Sequence, residues 1–450
     1  RCSVRIILWH GYLLSGTGSN EYTRALARTL SGQGHDVVVL SQDPDPGRHD
    51  LGGAASARPR LPGRLPVFVL DRYAGLTPAL LPTMQRAELD DFVAAQVQAI
   101  RAAGPADLLI TNHVLLGGPV GAASGLPYVV KVHGSELEFA MRGNPDLCRW
   151  AHETLQPAVG VVVGSEHVGR VVSDLVGVPP TRMTVVPPGV DIAQMAPQPR
   201  AAALAGLIAE ARRDPPSQGD ERSPDPGNAE RLRQFLSDTA RPTVVYVGKL
   251  SREKGVHLLL EALAGLPARA VLVGFGPERA ALAEQAQHLG LDVLFTGPLQ
   301  HRHLRHLWAL ADVSVVPSVF PEAFGMVAAE AAATGCSPLV ARHSGLAEVA
   351  AGIEGFLPAH LHLISFERAD AADLRRRLDQ LLDLGPEDRA LLAAGCRAAV
   401  EGLWSWDSVA RQLVGLADEG PHADPASTAA DRHGRGRHAL PRRRGQRSGT

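Results

Sequence analysis

Cysteine is scarce in this sequence. Four residues in 450 (Cys2, Cys148, Cys336 and Cys396) lie far apart, with no Cys-x-x-Cys pair. That spacing argues against a disulfide scaffold or a zinc site and fits a reducing cytosol. Charge of one sign is also lacking: the formal net charge is −2, so no global field points to nucleic acid or to an anionic membrane. No apolar run approaches the roughly 18 residues that a membrane span requires. The Val4–Trp9 run is short and enters a glycine-rich loop, which reads as a strand rather than a signal peptide. A soluble, cytoplasmic protein is expected. Aromatic residues are few, at 4%, but hydrophobic residues reach 45%, enough for buried sheets. The length exceeds one ordinary domain and suits two of roughly 150–200 residues.

Short β-branched runs alternate with longer amphipathic stretches, the pattern of parallel sheets covered by helices. In residues 1–190 the expected strands are 4–8, 37–40, 108–110, 128–132, 159–163 and 184–186, with a helix over about 21–30. The proline- and glycine-rich stretch 47–66 reads as an excursion from the sheet. The rhythm breaks after Asp191. Residues 191–241 read as a linker with a partly disordered insertion, since their composition buries little apolar surface, with a short helix around 229–236. Alternation resumes over 242–400, with strands at 244–247, 270–273, 293–295, 313–316 and 338–341 and a further candidate at 355–357. Residues 401–417 read as a terminal helix and 418–450 as a disordered, Arg-rich tail. That tail is the one feature that leaves peripheral membrane association open; no nucleic-acid partner is implied. In doubly wound sheets ligands sit beyond the carboxyl ends of strands, so the informative residues should follow strands directly.

Pro317-Ser-Val-Phe-Pro-Glu-Ala-Phe-Gly-Met-Val-Ala-Ala-Glu330 does so. Within a single helix, Glu322 and Glu330 would stand about 80° apart and roughly 12 Å along the axis. If the helix starts near Gly325, Glu322 instead projects over its amino end, where free N–H groups and the dipole favour an anion. Gly325 removes the Cβ that would keep a phosphate away. The competing reading is a solvated acidic loop followed by an ordinary helix glutamate. Val247-Gly-Lys-Leu-Ser-Arg-Glu-Lys-Gly255 likewise ends a strand at Gly248 and places Lys249 and Lys254 at a helix entry. Fixed cations there would stabilise the charge of a departing diphosphate, or merely solubilise a loop. Gly274-Phe-Gly276-Pro-Glu278 is a weak nucleotide-loop signal. Gly16-Thr17-Gly18 precedes a helix, with Ser19 or Asn20 as its expected cap. Lys131-Val-His133-Gly-Ser-Glu136 closes another strand. His301-Arg-His-Leu-Arg-His306 reads as a polar helix face rather than a metal cluster, because Leu304, Leu307 and Leu310 keep helical spacing.

Taken together, these segments resemble glycosyltransferase family 4, the large group of retaining enzymes with the GT-B fold. The family carries a Pro-Ser…Pro-Glu-x-Phe-Gly…Glu signature with seven residues between the glutamates, as between Glu322 and Glu330. The resemblance covers roughly 4–46, 105–192 and 242–416. It implies an α/β fold of two Rossmann-like, doubly wound domains facing across a cleft. It implies that Glu322 and His133 contact the donor sugar and that Glu330 binds the ribose. The backbone of Phe324, Gly325, Met326 and Val327 would approach the sugar and diphosphate, and Lys249 and Lys254 would clamp that diphosphate. Gly248, Gly274 and Gly276 would lie on the nucleotide side, and Gly16, Thr17 and Gly18 near the donor phosphate and acceptor. Glu136 and His113 are weaker cleft candidates. Lys249 departs from the family's arginine and supplies charge without the planar fork. Ser344 and Ala347 depart from its Gly-Gly-Leu-Pro-Glu loop.

The implied activity is transfer of a sugar from a nucleotide-sugar donor to an acceptor hydroxyl of a lipid, polysaccharide or small metabolite. It implies retained configuration and no cofactor or metal. The rivals are a sugar-nucleotide epimerase of the same architecture, a non-catalytic partner subunit and, least supported, a dinucleotide-dependent oxidoreductase.

Overall fold

A computed structural model describes residues 3–14, 16–70, 73, 75–215 and 223–418. Two separate parallel sheets carry it. In the first domain the strands are β1 Arg5–Trp9, β2 Asp36–Leu40, β3 Ala55–Ala57, β4 Leu65–Val67, β5 Pro78–Leu80, β6 Leu108–Asn112, β7 Tyr128–Lys131, β8 Gly160–Val163 and β9 Met183–Val185. Its helices are α1 Gly18–Gly32, α2 Arg86–Ala102, α3 Val114–Ser124, α4 Pro145–Leu155 and α5 Glu166–Val176. Seven of these strands form a parallel sheet in the order β3-β2-β1-β6-β7-β8-β9, and β4 and β5 pair separately. The inner strands β1, β2, β6, β7 and β8 are buried and rich in β-branched residues and leucine, which is what a helix-covered parallel sheet requires, whereas the edge strand β3 is exposed.

The second domain begins with α6 Arg200–Arg212 and α7 Asn228–Ser237. It continues with strands β10 Thr243–Val247, β11 Arg269–Val273, β12 Val293–Phe295, β13 Val313–Val316, β14 Ser337–Ala341 and β15 Ser365–Phe366. Its other helices are α8 Val256–Leu263, α9 Arg279–His288, α10 His301–Trp308, α11 Met326–Ala333, α12 Ser344–Glu354, α13 Ala371–Leu382 and α14 Pro386–Leu403. Last comes α15 Trp406–Asp418. The sheet order is β12-β11-β10-β13-β14-β15. The order reverses between β1 and β6 in one sheet and between β10 and β13 in the other, and the loops leaving those strands frame the cleft.

The structure corrects four expectations. The 191–241 segment is no mere linker: Ala203, Leu207, Leu232 and Leu236 of α6 and α7 are buried in the second domain's core. Few apolar residues suffice because they fall on one face of each helix; residues 216–222 of this segment lie outside the described residues. The 47–66 stretch is not wholly off the sheet, since β3 forms its edge. Residues 355–357 are not a strand; they follow α12, and the last strand is β15. Helix α1 starts at Gly18 with Thr17 at its cap and no side-chain capping bond, which puts Ser19 and Asn20 inside the first turn.

The described residues end with α15, which packs on the first domain. Val409, Ala410, Leu413 and Val414 join a core with Ile6, Leu8, Leu26 and Val39. The expected Arg-rich tail lies outside the described residues. Among those residues, no helix is long and apolar enough to cross a membrane.

Candidate active site

The β10 and β13 loops lie side by side at the point where the second sheet reverses, and the hydrogen bonding there is dense. The Glu253 carbonyl accepts from Val319 N at 2.8 Å, Phe320 N at 3.2 Å and Ser318 Oγ at 3.3 Å. Gly255 is required at this junction. Its φ is +69°, and a Cβ would stand 2.0 Å from the Pro317 carbonyl oxygen. This seam brings Lys254 to Glu322, and Lys254 Nζ donates to Glu322 Oε1. The next turn fixes Glu322 from behind: its N–H donates to Ser344 Oγ at 2.9 Å, and its carbonyl accepts from Gly345 N at 3.0 Å. Ser344 itself has φ +48°. The serine that departs from the family pattern therefore takes up left-handed strain and returns a hydrogen bond to the Glu322 backbone.

The first domain faces this seam with His133. Asn112 Nδ2 donates to the Trp9 carbonyl at 3.1 Å, which turns Asn112 Oδ1 toward His133 Nε2 at 2.6 Å. Nε2 therefore carries the proton and Nδ1 is left as an acceptor. Burial, with the nearby charges of His113, Lys131 and His10, holds His133 well below the usual histidine pKa; it is a neutral ring. Beneath it, the fully buried Glu136 accepts from Val114 N at 3.2 Å, His133 N at 3.3 Å and His113 Nδ1 at 3.1 Å. Burial alone would raise the Glu136 pKa. The neighbouring His113 charge and these hydrogen bonds outweigh it, and the carboxyl is held below its usual range. Among the described residues, His113 Nε2 and Tyr12 Oη are buried without a hydrogen-bonding partner, and both residues line the cleft.

A cavity of about 590 Å³ collects these groups. Thr17, Gly18 and His133 line it from one domain, and Gly248, Lys249, Lys254, Glu322, Phe324, Gly325, Met326 and Val327 from the other. Gly16 and Glu330 line an adjoining cavity of about 660 Å³, which shares Thr17, Gly18, Met326 and Val327 with the first. Gly274 and Gly276 face neither. Their Cβ atoms would stand 1.8 Å from the Gly248 oxygen and 2.3 Å from the Leu250 oxygen, so they let two strand-end loops pack beneath the site. Gly325 likewise has a packing reason, with Leu346 Cδ2 at 2.7 Å from a Cβ there. The domains also touch directly: Ser165 Oγ donates to the Ala323 carbonyl at 2.6 Å. The Glu166 and His167 amides at the start of α5 donate to Glu348 at 2.8 and 2.9 Å.

Three residues were not read from the sequence as parts of the site. Lys131 lines the main cavity, yet its Nζ is buried and donates to the Val186 carbonyl at 2.6 Å. Burial lowers its pKa to about 7, although the Glu136 charge pulls the other way. Glu348 binds across the domain boundary, which no local pattern announces. His301 lines the adjoining cavity, while the rest of the cluster, read from the sequence as a polar helix face, is covered. His303 and His306 are buried, bonded to Asp214 at 3.0 Å and Gln198 at 2.7 Å, because α6 covers that side of α10. Among the described residues no group of three or more His, Cys, Asp or Glu is placed to hold a metal ion.

Residues 16–194 match the profile described as Glycosyltransferase Family 4, and residues 228–395 that of Glycosyl transferases group 1. Two doubly wound sheets with charged strand-end loops facing across a cleft, together with these matches, define a glycosyltransferase of the GT-B fold. The chain belongs to glycosyltransferase family 4. It is 26% identical over 446 residues to the D-inositol 3-phosphate glycosyltransferase of Corynebacterium kroppenstedtii, spanning 92% of this chain and 88% of that protein. To the protein of the same name from Mycobacterium tuberculosis (strain F11) it is 29% identical over 425 residues, spanning 88% and 78%. Among solved structures, Anabaena HepE in complex with UDP and glucose superposes with a TM-score of 0.65 at 18% identity, covering 92% of this chain and all of that one. Sucrose-phosphate synthase from Thermosynechococcus elongatus gives 0.63 at 22% identity, covering 92% and 98%. At these identities the structural likeness speaks for the fold.

Proposed function

We propose that this glycosyltransferase moves a sugar from a nucleotide-sugar donor to an acceptor hydroxyl, with retention of anomeric configuration. The observation that carries the reading is the convergence of Lys254, Glu322, the amino end of α11 and His133 on one interdomain cavity. The relatives' names and the UDP and UDP-glucose held by the Anabaena neighbour support the donor class. In this reading the donor's diphosphate lies between Lys249, Lys254 and the α11 amides, which stabilise the charge that develops as the anomeric C–O bond breaks. Glu322 and His133 Nδ1 accept hydrogen bonds from the sugar, and Glu330 holds the ribose. The acceptor oxygen attacks the face that the diphosphate leaves, and its proton passes to the departing phosphate oxygen. Tyr12 Oη and His113 Nε2, buried and unpartnered among the described residues, mark where an acceptor hydroxyl is received. No cofactor enters the scheme. The free Cys148, Cys336 and Cys396 fit a reducing cytosol.

The test is acceptor-free hydrolysis of a nucleotide-sugar panel, then transfer to candidate acceptors with D-inositol 3-phosphate among them. Glu322→Ala and Lys254→Ala should each slow the best reaction about 10²-fold or more. A Glu322→Ala enzyme as fast as the parent would show the site assignment to be wrong. A product of inverted configuration by NMR would dismiss retention alone.

A further inference from the structure

Helix α10 begins at His301, immediately after the loop that leaves β12. Its start is held from the side by α6. Arg302 donates to Glu210 at 2.8 Å and contacts Asp214, and His303 Nε2 meets Asp214 Oδ2 at 3.0 Å. Close approach of the two helices depends on Gly206, whose Cβ would fall 2.4 Å from His306 Cε1. So anchored, His301 points at α11, and its Nε2 lies 3.1 Å from Glu330 Oε1. Glu330 is 8% exposed, and among the described residues His301 is its one hydrogen-bonding side chain. Both line the cavity of about 660 Å³ beside the main one. The opposite wall carries charges already paired within the first domain and the segment that follows it, Arg24 with Glu21 and Arg28 with Asp191 at 2.7 Å.

We propose that His301 is a positioning residue for the donor's nucleoside, holding one oxygen of Glu330 so that the other is presented to the ribose diol. The proposal rests on the nucleotide-sugar reading above. An imidazole suits this task better than lysine or arginine, because it can engage one carboxylate oxygen through a single N–H. A nearly buried carboxylate without such a partner would be costly and free to turn. The hydrogen bond from His301 to Glu330, and then the Glu330 charge, raise the histidine's pKa against the partial desolvation of a side chain that is still 54% exposed; Glu21 adds to the rise and Arg24 opposes it. These groups face the ring from α11 and α1, and Arg302 is its charged neighbour on α10. A raised histidine pKa means that the charge-assisted bond is complete at low pH and weakens as pH rises through the folded-state value.

Calorimetric titration tests this with whichever of UDP, GDP and ADP binds, and with its 2′-deoxy counterpart, at pH 6.5 and 8.5. The enzyme should favour the ribonucleotide, and less so at pH 8.5. His301→Ala should weaken ribonucleotide binding about tenfold, leave the deoxynucleotide little changed and remove the pH dependence. His301→Gln, which keeps an N–H donor, should restore most of the preference but stay flat with pH. The inference is overturned if His301→Ala keeps the parent's ribose preference while Glu330→Ala loses it. If Glu330→Ala keeps it too, or no nucleotide binds, the nucleotide-sugar reading fails and takes this inference with it.

Discussion

Glu136 offers a sharp test of how the first domain's half of the site is built. Its two buried oxygens accept three bonds: Oε1 from the Val114 and His133 amides, Oε2 from His113 Nδ1. In Glu136→Gln the amide oxygen can take over Oε1 and keep both backbone bonds. The NH2 then meets His113, which adopts the tautomer with Nδ1 as acceptor. All three charge-assisted bonds become neutral, a loss of roughly 0.5–1 kcal/mol each. Glu136→Ala leaves two amides and a ring nitrogen unsatisfied at about 1–3 kcal/mol each, and opens a void. The sum approaches the whole stability of a domain, about 5–15 kcal/mol. Urea titration followed by circular dichroism should therefore show a folded glutamine variant with a modestly lower midpoint, and an alanine variant largely unfolded in the first domain. The pH dependence separates them further. The Glu136 carboxyl is held below the ordinary glutamate range in the fold, so its stabilisation is present above that range. It is lost as pH falls through the folded-state value, and the glutamine variant should lack this loss. Equal destabilisation by both substitutions, or none by either, would refute the reasoning.

Gly274→Ala should impair folding although it faces neither main cavity. The residue has φ +141° with a Cβ only 1.8 Å from the Gly248 oxygen. Backbone strain of about 1–3 kcal/mol adds to overpacking of similar size, read as lost soluble yield and a lower urea midpoint. Leu413→Ala tests the return of α15 to the first domain. The side chain is fully buried beside Tyr22 and Leu26, so about 3–5 kcal/mol should go, lowering the first domain's melting transition.

What could be read in advance followed from local rules. Buried parallel strands declare themselves as β-branched runs, so β1, β2, β6–β9 and β10–β14 were all legible within a residue or two. β15 was not: two residues are too few to carry a pattern. The insertion misled because its average composition is polar, whereas burial depends on which face of α6 and α7 the few leucines occupy. His301 was hidden for a related reason, since spacing along α10 says nothing about what covers each side.

The sequence by itself determined the alternation of strand and helix, the family and the positions of Glu322, Glu330, Lys249 and Lys254 after strand ends, because these depend on neighbours within a few residues. Only the tertiary structure decided which of them meet. Lys254 reaches Glu322 because the second sheet reverses at β10 and β13. His133 is a neutral ring because burial and the charges of His113, Lys131 and His10, brought beside it by the fold, disfavour its protonated form. Glu330 has a histidine partner because α6 pins α10 beside it. Each of these contacts joins segments far apart in sequence, and burial and charge act through space, so their effects could be assigned only once the chain had folded.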